Sequence, residues 1–282
     1  MDATSVTHIR PGARWRSLGF GDVWEYRNLL LNLGLRDVKL RYKQTLLGVA
    51  WVVLQPVLSA GILTAVFGFI AAVPSPSGVP YFVFAYMGQV AWTLFSLTLT
   101  RTSGSMVGSA ALVMKIYFPR PILPLATILS VLLDFAICLA LAVPMVVLYG
   151  KNGINIPVLA ASSLVLILCA TGIGFVFAAL SVRFRDVLFL LPIIVQLGLY
   201  ASPVAYGLDV ARASLTRHSE RYFNLYMLNP LASVVEAFRW SLLGQGLFLP
   251  GYFVYGAVFG LVVFVAGFAL FRSSEAKFAD VI

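Results

Sequence analysis

Long apolar runs without charge limit the folds open to this chain more than any other feature of its sequence. The first run, residues 45–73, contains no Asp, Glu, Lys or Arg, and further apolar runs follow it. A transmembrane α-helix needs about 20 consecutive apolar residues, whereas a strand of a membrane β-barrel gives alternating segments of about ten. The chain is 60% hydrophobic and only 11% charged, against roughly 25% charged residues in a soluble domain. The pattern predicts an all-α integral membrane protein.

Six of these runs are long enough to be transmembrane helices. Pro, Gly and Asn residues, which favour turns, separate several of them, as at 74–80 and 151–157. Pro56 lies in the middle of the first run and predicts a kink, which is tolerated where neighbouring helices satisfy the freed carbonyl group. To within about two to four residues, the predicted spans are 45–72, 81–105, 123–149, 157–181, 187–207 and 252–271.

A basic amphipathic segment, residues 22–44, precedes the first span. Its apolar residues, among them Trp24, Leu31 and Leu35, recur at spacings that place them on one face of a helix. Such a helix tends to lie in the plane of the membrane interface, with its Lys and Arg side chains toward the headgroups. Gly34 is a candidate break within this predicted interface helix.

A second amphipathic segment, residues 228–244, lies between the last two spans. Glu236 and Arg239 interrupt its apolar character, so it predicts a short interfacial or re-entrant helix rather than a span. The predicted fold is therefore six transmembrane helices with an N-terminal interface helix and a short re-entrant segment before the last span. The corresponding division of the chain is a tail with the interface helix at 1–44 and a six-span domain at 45–282, which ends in a short polar tail.

Fifteen of the twenty Lys and Arg residues fall on one side of the six predicted spans, together with both ends of the chain. Short loops rich in Lys and Arg stay in the cytoplasm. This distribution predicts a multi-pass membrane protein with both termini cytoplasmic. The basic residues lie at the ends of apolar runs rather than in a stripe, so the net charge of +9 does not indicate nucleic-acid binding.

Several motifs of catalysis and cofactor binding are absent from the sequence. It contains no GxxxxGK[ST] phosphate-binding loop, so the chain is not expected to hydrolyse ATP by itself. It also contains no HExxH, paired CxxC or GxSxG motif. Cys138 and Cys169 fall inside apolar runs and are expected to be small buried hydrophobes. No catalytic residue, bound cofactor or metal site is predicted.

Aromatic residues gather near the outer ends of the second and fifth predicted spans. Aromatic faces stack on the apolar C–H faces of sugar rings, and Tyr and Trp hydrogen-bond to hydroxyls, but an ordinary interfacial aromatic belt is the commoner interpretation. Asp134, the one acidic residue inside a predicted span, is either a polar contact in a conduit or a satisfied helix–helix hydrogen bond. The candidate conduit residues are Tyr81, Phe82, Phe84, Tyr86, Trp92, Phe95, Asp134, Tyr200 and Tyr206.

Five short segments of the sequence, taken together, resemble those of a known protein family. They are RDVKLRYKQTLLGVAWVVLQP at 36–56, KIYFPRPILPLA at 115–126, VRFRD at 182–186, LNPLASVVEAFR at 228–239 and FRSSEAKFADVI at 271–282. The matching positions in the first segment are Arg36, Asp37, Arg41, Tyr42, Leu47, Gly48, Trp51 and Pro56. In this order the segments resemble the permease subunits of ABC exporters for polysaccharides. This ABC-2 type family moves lipid-linked O-antigen, capsular polysaccharide or teichoic acid across the bacterial cell membrane.

The resemblance implies a permease that dimerises and binds two copies of a separate ATPase subunit, which would hold the ATP and Mg. The conduit would lie between the two permease copies, and the cargo would be an undecaprenyl-linked glycan. The resemblance also implies that the helix at 22–44 and the loop at 106–122 contact the ATPase and carry its motion to the spans. The candidate ATPase contacts are Asp37, Lys115, Tyr117 and Arg120.

Basic residues at the end of the interface helix indicate where the anionic headgroup of such a cargo meets the chain. Positive charge next to a span attracts anionic headgroups at the inner leaflet. The same surface would face other membrane lipids. The candidates for the headgroup or the interface are Arg36, Arg41, Tyr42 and Lys43.

Three other functions stay open on the sequence. An ABC-2 exporter of a drug or lipid would need a narrower and less aromatic cavity. A membrane-embedded enzyme acting on lipid-linked sugars would need polar catalytic residues near an interface, and the sequence shows no convincing carboxylate pair or metal cluster. An autonomous secondary carrier is disfavoured, because Asp134 alone is thin support for a proton relay.

Overall fold

The computed structural model describes residues 20–43, 50–76, 78–115, 118–184 and 186–278, and within these ranges it contains helices and no strand. The helices are numbered here in chain order. They are α1 (Phe20–Glu25), α2 (Arg27–Lys43), α3 (Ala50–Leu63, continued as a π-helix over Thr64–Ile70), α4 (Tyr81–Gly108), α5 (Ala110–Lys115), α6 (Ile122–Tyr149), α7 (Ile156–Arg183), α8 (Val187–Ala201), α9 (Leu208–Thr216), α10 (Glu220–Tyr226), α11 (Pro230–Leu243) and α12 (Pro250–Phe278). Much of the predicted loop at 106–122 is therefore helical, as the end of α4 and as α5.

Five helices in the described part of the chain are long and apolar enough to cross a membrane, namely α3 with its π-helical extension, α4, α6, α7 and α12. Helix α8 is apolar but has only 15 residues, about 22 Å at 1.5 Å per residue, which is less than the ~30 Å of hydrocarbon. It ends at Ala201, short of the predicted 207, because Ser202 is extended and Pro203 follows it. The all-α membrane fold is confirmed, with α8 as a shorter sixth apolar helix.

Helices α4 and α7 form the centre of the bundle and are far more buried than α3, α6 and α12. Helix α7 packs on both α4 and α12, and α6 also packs on α4. On the α12 side, the ring of Phe175 lies 5.4 Å from that of Phe268 and 5.3 Å from that of Phe271, between ring centroids. Tilted and edge-to-face aromatic pairs of this kind add to the stabilisation from area burial. The other membrane helices therefore pack around two buried central ones. Helix α4 contacts most of the elements that form the sites described below.

The predicted interface helix forms as α1 and α2, with the interruption at Tyr26 and not at Gly34. The prediction of a break at Gly34 is wrong, because this glycine lies buried where α2 packs on α6. Its neighbour Leu33 is also buried. By contrast, Trp24 and Leu35 of the predicted apolar face are 72% and 48% exposed. That face is left free to meet lipid or another protein.

Replacing Gly34 with Ala is expected to separate α2 from α6. A Cβ atom at this position would lie 2.8 Å from Cδ2 of Leu129 and 3.0 Å from the carbonyl oxygen of Ala126, so the neighbours would have to shift. Overpacking of this kind costs about 1–3 kcal/mol. We expect a lower midpoint of thermal unfolding for the purified chain and faster proteolytic cleavage of α2.

The matched control for this substitution is Gly61→Ala in α3. Apart from its chain neighbours and the nearby backbone of its own helix, no atom lies within 4 Å of a Cβ placed on Gly61. At such an open position the change from Gly to Ala favours a helix by up to about 1 kcal/mol, so the midpoint should be unchanged or higher. A Gly34→Ala protein that melts at or above the midpoint of the Gly61→Ala protein would contradict close packing of α2 on α6.

Helix α11 is a buried element and not a surface helix. Its start follows from the sequence, because Pro230 occupies the first helical position and Oδ1 of Asn229 accepts a hydrogen bond from the backbone N–H of Leu231 at 3.1 Å. The helix packs on α4, α7 and α12. Its two charged residues, Glu236 and Arg239, are 1% and 0% exposed. Of the two forms predicted for this segment, the structure favours the re-entrant one.

Helix α12 extends well beyond the predicted last span. The sequence predicted a span at 252–271 followed by a polar tail, but the helix continues as far as Phe278. Residues 272–278 of the predicted polar tail are therefore helical. The backbone N–H of Arg120 donates to Oε1 of Glu275 at 2.9 Å. This hydrogen bond ties the end of α12 to the segment that precedes α6.

Candidate functional site

An open groove of about 500 Å³ lies between α3, α4 and α8. Its lining mixes amide and hydroxyl groups with aliphatic and aromatic side chains, and none of the described residues that line it is charged. The polar residues in the lining are Gln55, Ser59, Gln89, Thr93, Ser96, Gln196 and Tyr200. We call this site the amide groove.

Each of the three helices gives the amide groove a polar stripe at helical spacing. Residues four or seven apart lie on the same face of a helix. On α3 the stripe is Gln55 and Ser59, on α4 it is Gln89, Thr93 and Ser96, and on α8 it is Gln196 and Tyr200. The signal was present in the sequence as polar pairs inside apolar runs, but the predicted conduit residues were mainly aromatic and did not include the glutamines.

The predicted conduit aromatics divide between this groove and the protein interior. Trp92 borders the groove, and Tyr200 lines it with 52% of its surface exposed. Phe84, Tyr86 and Phe95 are 1%, 0% and 4% exposed within the single chain. The hydroxyl of Tyr86 donates to the backbone oxygen of Cys138 on α6 at 3.0 Å, and the ring of Phe82 stacks on that of Tyr86. The structure therefore brings two of these aromatic residues to the groove and places three in the helix core.

Two further predicted conduit residues, Tyr81 and Tyr206, hold the segment that follows α8. The hydroxyl of Tyr81 donates to the backbone oxygen of Ala205. The hydroxyl of Tyr206 lies 3.1 Å from the backbone oxygen of Tyr200 and 3.3 Å from the hydroxyl of Tyr226 on α10. Burial raises the pKa of Tyr226 well above its usual value, so its hydroxyl stays protonated at physiological pH. These tyrosines support the end of the groove rather than line it.

Asp134 lies outside the amide groove, in a charged cluster that joins α2, α4 and α6. Its Oδ2 atom is 2.6 Å from Nη2 of Arg101 on α4 and 2.9 Å from Nη1 of Arg41 on α2. The guanidinium of Arg101 also donates to the hydroxyl of Ser130 at 2.6 Å. Asp134 itself is 1% exposed. Of the two interpretations of Asp134, the contacts fit a satisfied helix–helix interaction.

A second open cavity, of about 520 Å³, lies beside this charged cluster between α2, α4 and α6. Two of the predicted headgroup residues, Arg36 and Arg41, line it together with Asp37 and Arg101. Arg36 pairs with Asp37 at 3.0 Å, where both side chains are a third to a half exposed. The other two predicted headgroup residues are Tyr42 and Lys43, whose side chains lie outside the described part of the structure.

The predicted ATPase contacts lie on different elements. Asp37 is on α2, and Lys115 is exposed at the last residue of α5. Arg120 is half-buried and donates through its guanidinium to the backbone oxygen of Glu275 on α12. Tyr117 lies outside the described residues. Of this set, Asp37 and Lys115 present side chains to the surface in the isolated chain.

Arg239 is the largest fully buried side chain in the described part of the protein, and it organises the segment after α8. Its Nη1 atom is 2.7 Å from Oε2 of Glu236, and its Nη2 atom donates to the backbone oxygens of Pro203 and Val204 at 2.6 and 2.9 Å. The guanidinium also lies 3.9 Å from the ring centroid of Phe84. The sequence predicted Arg239 on a short interfacial or re-entrant helix but not its burial, for which the spacing of one helical turn between Glu236 and Arg239 was the available signal.

A family profile described as ABC-2 type transporter matches residues 28–243. The chain belongs to the ABC-2 type transporter family. This confirms the family resemblance drawn from the five sequence segments. The ABC-2 match begins near the start of α2 and ends at the last residue of α11. It therefore includes the amide groove, the charged cluster around Asp134 and the buried Arg239.

Several named relatives match most of this chain. The O-antigen export system permease protein RfbA of Klebsiella pneumoniae is 26% identical over 265 residues, which is 90% of this chain and 95% of the relative. RfbA of Myxococcus xanthus is 25% identical over 263 residues, 92% of this chain and 97% of the relative. The polysialic acid transport protein KpsM of Escherichia coli is 27% identical over 257 residues, 86% of this chain and 92% of the relative. All three relatives are named for the transport of a glycan.

Proposed function

We propose that this chain is the transmembrane permease subunit of an ATP-driven exporter that moves a lipid-linked polysaccharide across the bacterial cell membrane. The observation that carries the proposal is the similarity to glycan transport proteins. The match to an O-antigen export permease covers 90% of this chain, and the match to a polysialic acid transport protein covers 86% of it. The amide groove supports it, because its hydroxyl and amide groups suit a hydroxylated cargo better than a hydrophobic drug or lipid.

The energy for transport would come from a separate ATPase subunit, because the sequence has no phosphate-binding loop. In the proposed assembly two ATPase copies, which hold ATP and Mg, bind a dimer of this permease. Helix α2 packs on α6, and its Arg41 meets Asp134 beside Arg101 of α4. An ATPase that moved α2 would therefore also act on α4 and α6.

The conduit would form where two copies of the permease meet. Exposed apolar side chains on α3 and α8, such as Leu58 and Leu197, offer a surface to lipid or to the second copy. The amide groove opens between these same helices and α4. In this arrangement both termini are cytoplasmic, and ATP-driven motion of α2 opens the path along α3, α4 and α8. The permease contributes binding and movement but no covalent chemistry.

The cavity beside Asp134 is the proposed place for the anionic headgroup of the undecaprenyl anchor. Arg36 and Arg41 line this cavity, and Tyr42 and Lys43 follow at the end of α2. Replacing Arg36, Arg41 and Lys43 together with Gln should weaken export while the ATPase still assembles. If assembly itself fails, these charges serve the subunit interface instead.

The test of the proposed function is purification of the tagged chain from its native cells in mild detergent. We expect an ATPase subunit in a stoichiometric ratio, and ATP hydrolysis by the purified complex. Deletion of the gene should remove the surface glycan and leave its lipid-linked form inside the cell. A chain that purifies alone and is active without an ATPase would contradict the proposal.

A further inference from the structure

The amide of Gln89 is the most unusual polar group in the amide groove. Gln89 is 7% exposed and is the first of the α4 residues that line the groove. Its Oε1 atom is buried and has no hydrogen-bond partner in the structure. A buried acceptor without a partner costs about 1–3 kcal/mol. A cargo that donates a hydrogen bond to this atom would remove that cost.

Two more amides, from Gln55 of α3 and Gln196 of α8, line the same groove and are exposed to it. An amide donates through its nitrogen and accepts through its oxygen. A sugar hydroxyl also donates and accepts, so three amides on three helices match a ligand that carries several hydroxyls. A ligand with one polar group would leave most of these amides unpaired.

Aromatic surface completes the chemistry of the groove. Helix α8 covers the ring of Trp92 at Gly198, where an added Cβ would lie 2.8 Å from Cη2 of Trp92, and Trp92 is only 2% exposed. The aromatic surface that is open to a ligand is therefore that of Tyr200. Tyr200 lies two residues further along α8 and is 52% exposed. The apolar C–H face of a sugar ring can pack on such an aromatic surface while the ring hydroxyls reach polar groups.

The described lining of the groove has no charged residue, which favours binding of an uncharged sugar. An acidic sugar brings a carboxylate whose removal from water is costly unless a cation pairs with it. Two arginines lie near the ends of the groove lining on α4, and each already has an acidic partner. Arg239 lies against Gly88 and pairs with Glu236, and Arg101 lies beyond Ser96 and pairs with Asp134. A neutral sugar needs no cation as a partner.

We propose that the amide groove is a binding subsite for an uncharged sugar unit of the exported glycan, with Gln55, Gln89 and Gln196 hydrogen-bonded to its ring hydroxyls. This inference rests on the proposed function, because it names the chemistry of the cargo in that conduit. In this proposal the three glutamines recognise the sugar hydroxyls, and the uncharged groove favours neutral over acidic sugars.

The test uses protection of a cysteine in the groove, in the permease–ATPase complex purified from native cells and placed in lipid nanodiscs. Ile62 lines the groove and is 65% exposed, so Ile62→Cys reports access by its rate of reaction with a maleimide. The native Cys138 and Cys169 are each 2% exposed and should add little background. Val147→Cys, on the exposed side of α6 at 76%, is the control site outside the groove.

The two probes are maltohexaose, which is neutral, and a hexamer of galacturonic acid, which has the same length and is acidic. We expect maltohexaose to slow labelling at Ile62→Cys but not at Val147→Cys, and the acidic probe to slow neither. In the Ile62→Cys background, Gln89→Leu and Gln196→Leu should each raise the half-protecting concentration about fivefold to tenfold, as expected for the loss of one hydrogen bond.

The matched control variant is Gln245→Leu. Gln245 also has a buried amide atom without a partner, its Nε2, but it does not line the groove. Replacing such an amide by an apolar group of similar shape should leave folding unchanged or stabilised. Both Gln89→Leu and Gln245→Leu should therefore keep the ATPase subunit in the parental ratio, and only the first should weaken protection.

Three outcomes would overturn the inference. Equal protection by the acidic hexamer would refute selectivity for neutral sugars, and an equal effect of Gln245→Leu would refute a specific role for Gln89. No protection by either probe, in a complex that contains the ATPase and exports glycan in cells, would refute the subsite while the proposed function stands. Failure of the proposed function itself would be seen separately, as a chain with no ATPase partner and no effect on surface glycan.

Discussion

An Arg239→Met protein is expected to lose about 3–5 kcal/mol of unfolding free energy, because removing one member of a buried ion pair leaves the other charge unpaired. The side chains of Arg239 and Glu236 are 0% and 1% exposed. The substitution also removes the hydrogen bonds to the backbone oxygens of Pro203 and Val204. We expect a low yield of folded protein and a large fall in the midpoint of thermal unfolding of the detergent-purified chain.

Two further variants separate the unpaired charge from the other contacts of Arg239. Glu236→Met combined with Arg239→Met removes both charges, and replacing a buried pair by apolar residues is often neutral. The double variant should therefore recover the part of the loss that is due to the unpaired carboxylate. Arg221 is exposed on α10, and Arg221→Met should change the unfolding free energy by about 0.5 kcal/mol or less. An Arg239→Met protein as stable as its parent would show that the buried pair is not required.

An Asp134→Asn protein is expected to lose export and about 1.5–3 kcal/mol of stability, the range for hydrogen bonds to charged groups. The carboxylate is 1% exposed and pairs with Arg41 and Arg101. Asn keeps the volume of the side chain but removes the charge that holds α2 to α4 and α6. Since the exposed surfaces of α2 and α5 are unchanged, the ATPase should still co-purify. The measurements are the unfolding midpoint, the ATPase ratio and an immunoblot of surface glycan.

The exposed carboxylates of the chain provide the controls for Asp134. Asp37→Asn breaks a pair with Arg36 in which both side chains are a third to a half exposed, so it should cost at most about 1 kcal/mol of stability. Glu220→Gln, at an exposed position on α10, should change neither stability nor export. Parental export by the Asp134→Asn protein would contradict transmission of motion through this cluster.

The two buried charged groups lie toward opposite ends of α4. Arg239 rests on Phe84 near the start of that helix, and Arg101 with Asp134 lies toward its end. The stretch from Phe84 to Arg101 is about 25 Å long at 1.5 Å per residue, and the amide groove opens along it. These charges thus stay outside the groove lining on α4, although Arg239 reaches as far as Gly88, the residue before Gln89. This separation lets the groove stay neutral without loss of the ion pairs that stabilise the fold.

Several features of the candidate site had a local signal in the sequence. Gln55 with Ser59, and Gln196 with Tyr200, are polar pairs one helical turn apart inside apolar runs. The family resemblance likewise rested on short segments of sequence, taken together in their order along the chain. By contrast, the burial of Phe84, Tyr86 and Phe95 had no local signal, because an aromatic residue in a span can face lipid, a conduit or another helix with equal hydropathy.

The order and approximate position of the membrane helices could be predicted from the amino-acid sequence alone, because a bilayer imposes a length of apolar residues and requires each backbone polar group to be satisfied within its own helix. Both conditions are local. The partners of Asp134, the close contact at Gly34 and the carbonyl groups held by Arg239 were decided only by the tertiary structure. Arg101 and Asp134 are 33 residues apart, and Arg239 lies 36 residues from Pro203. Such contacts depend on how each helix is rotated against its neighbours, and that rotation is set by the packing of the whole bundle.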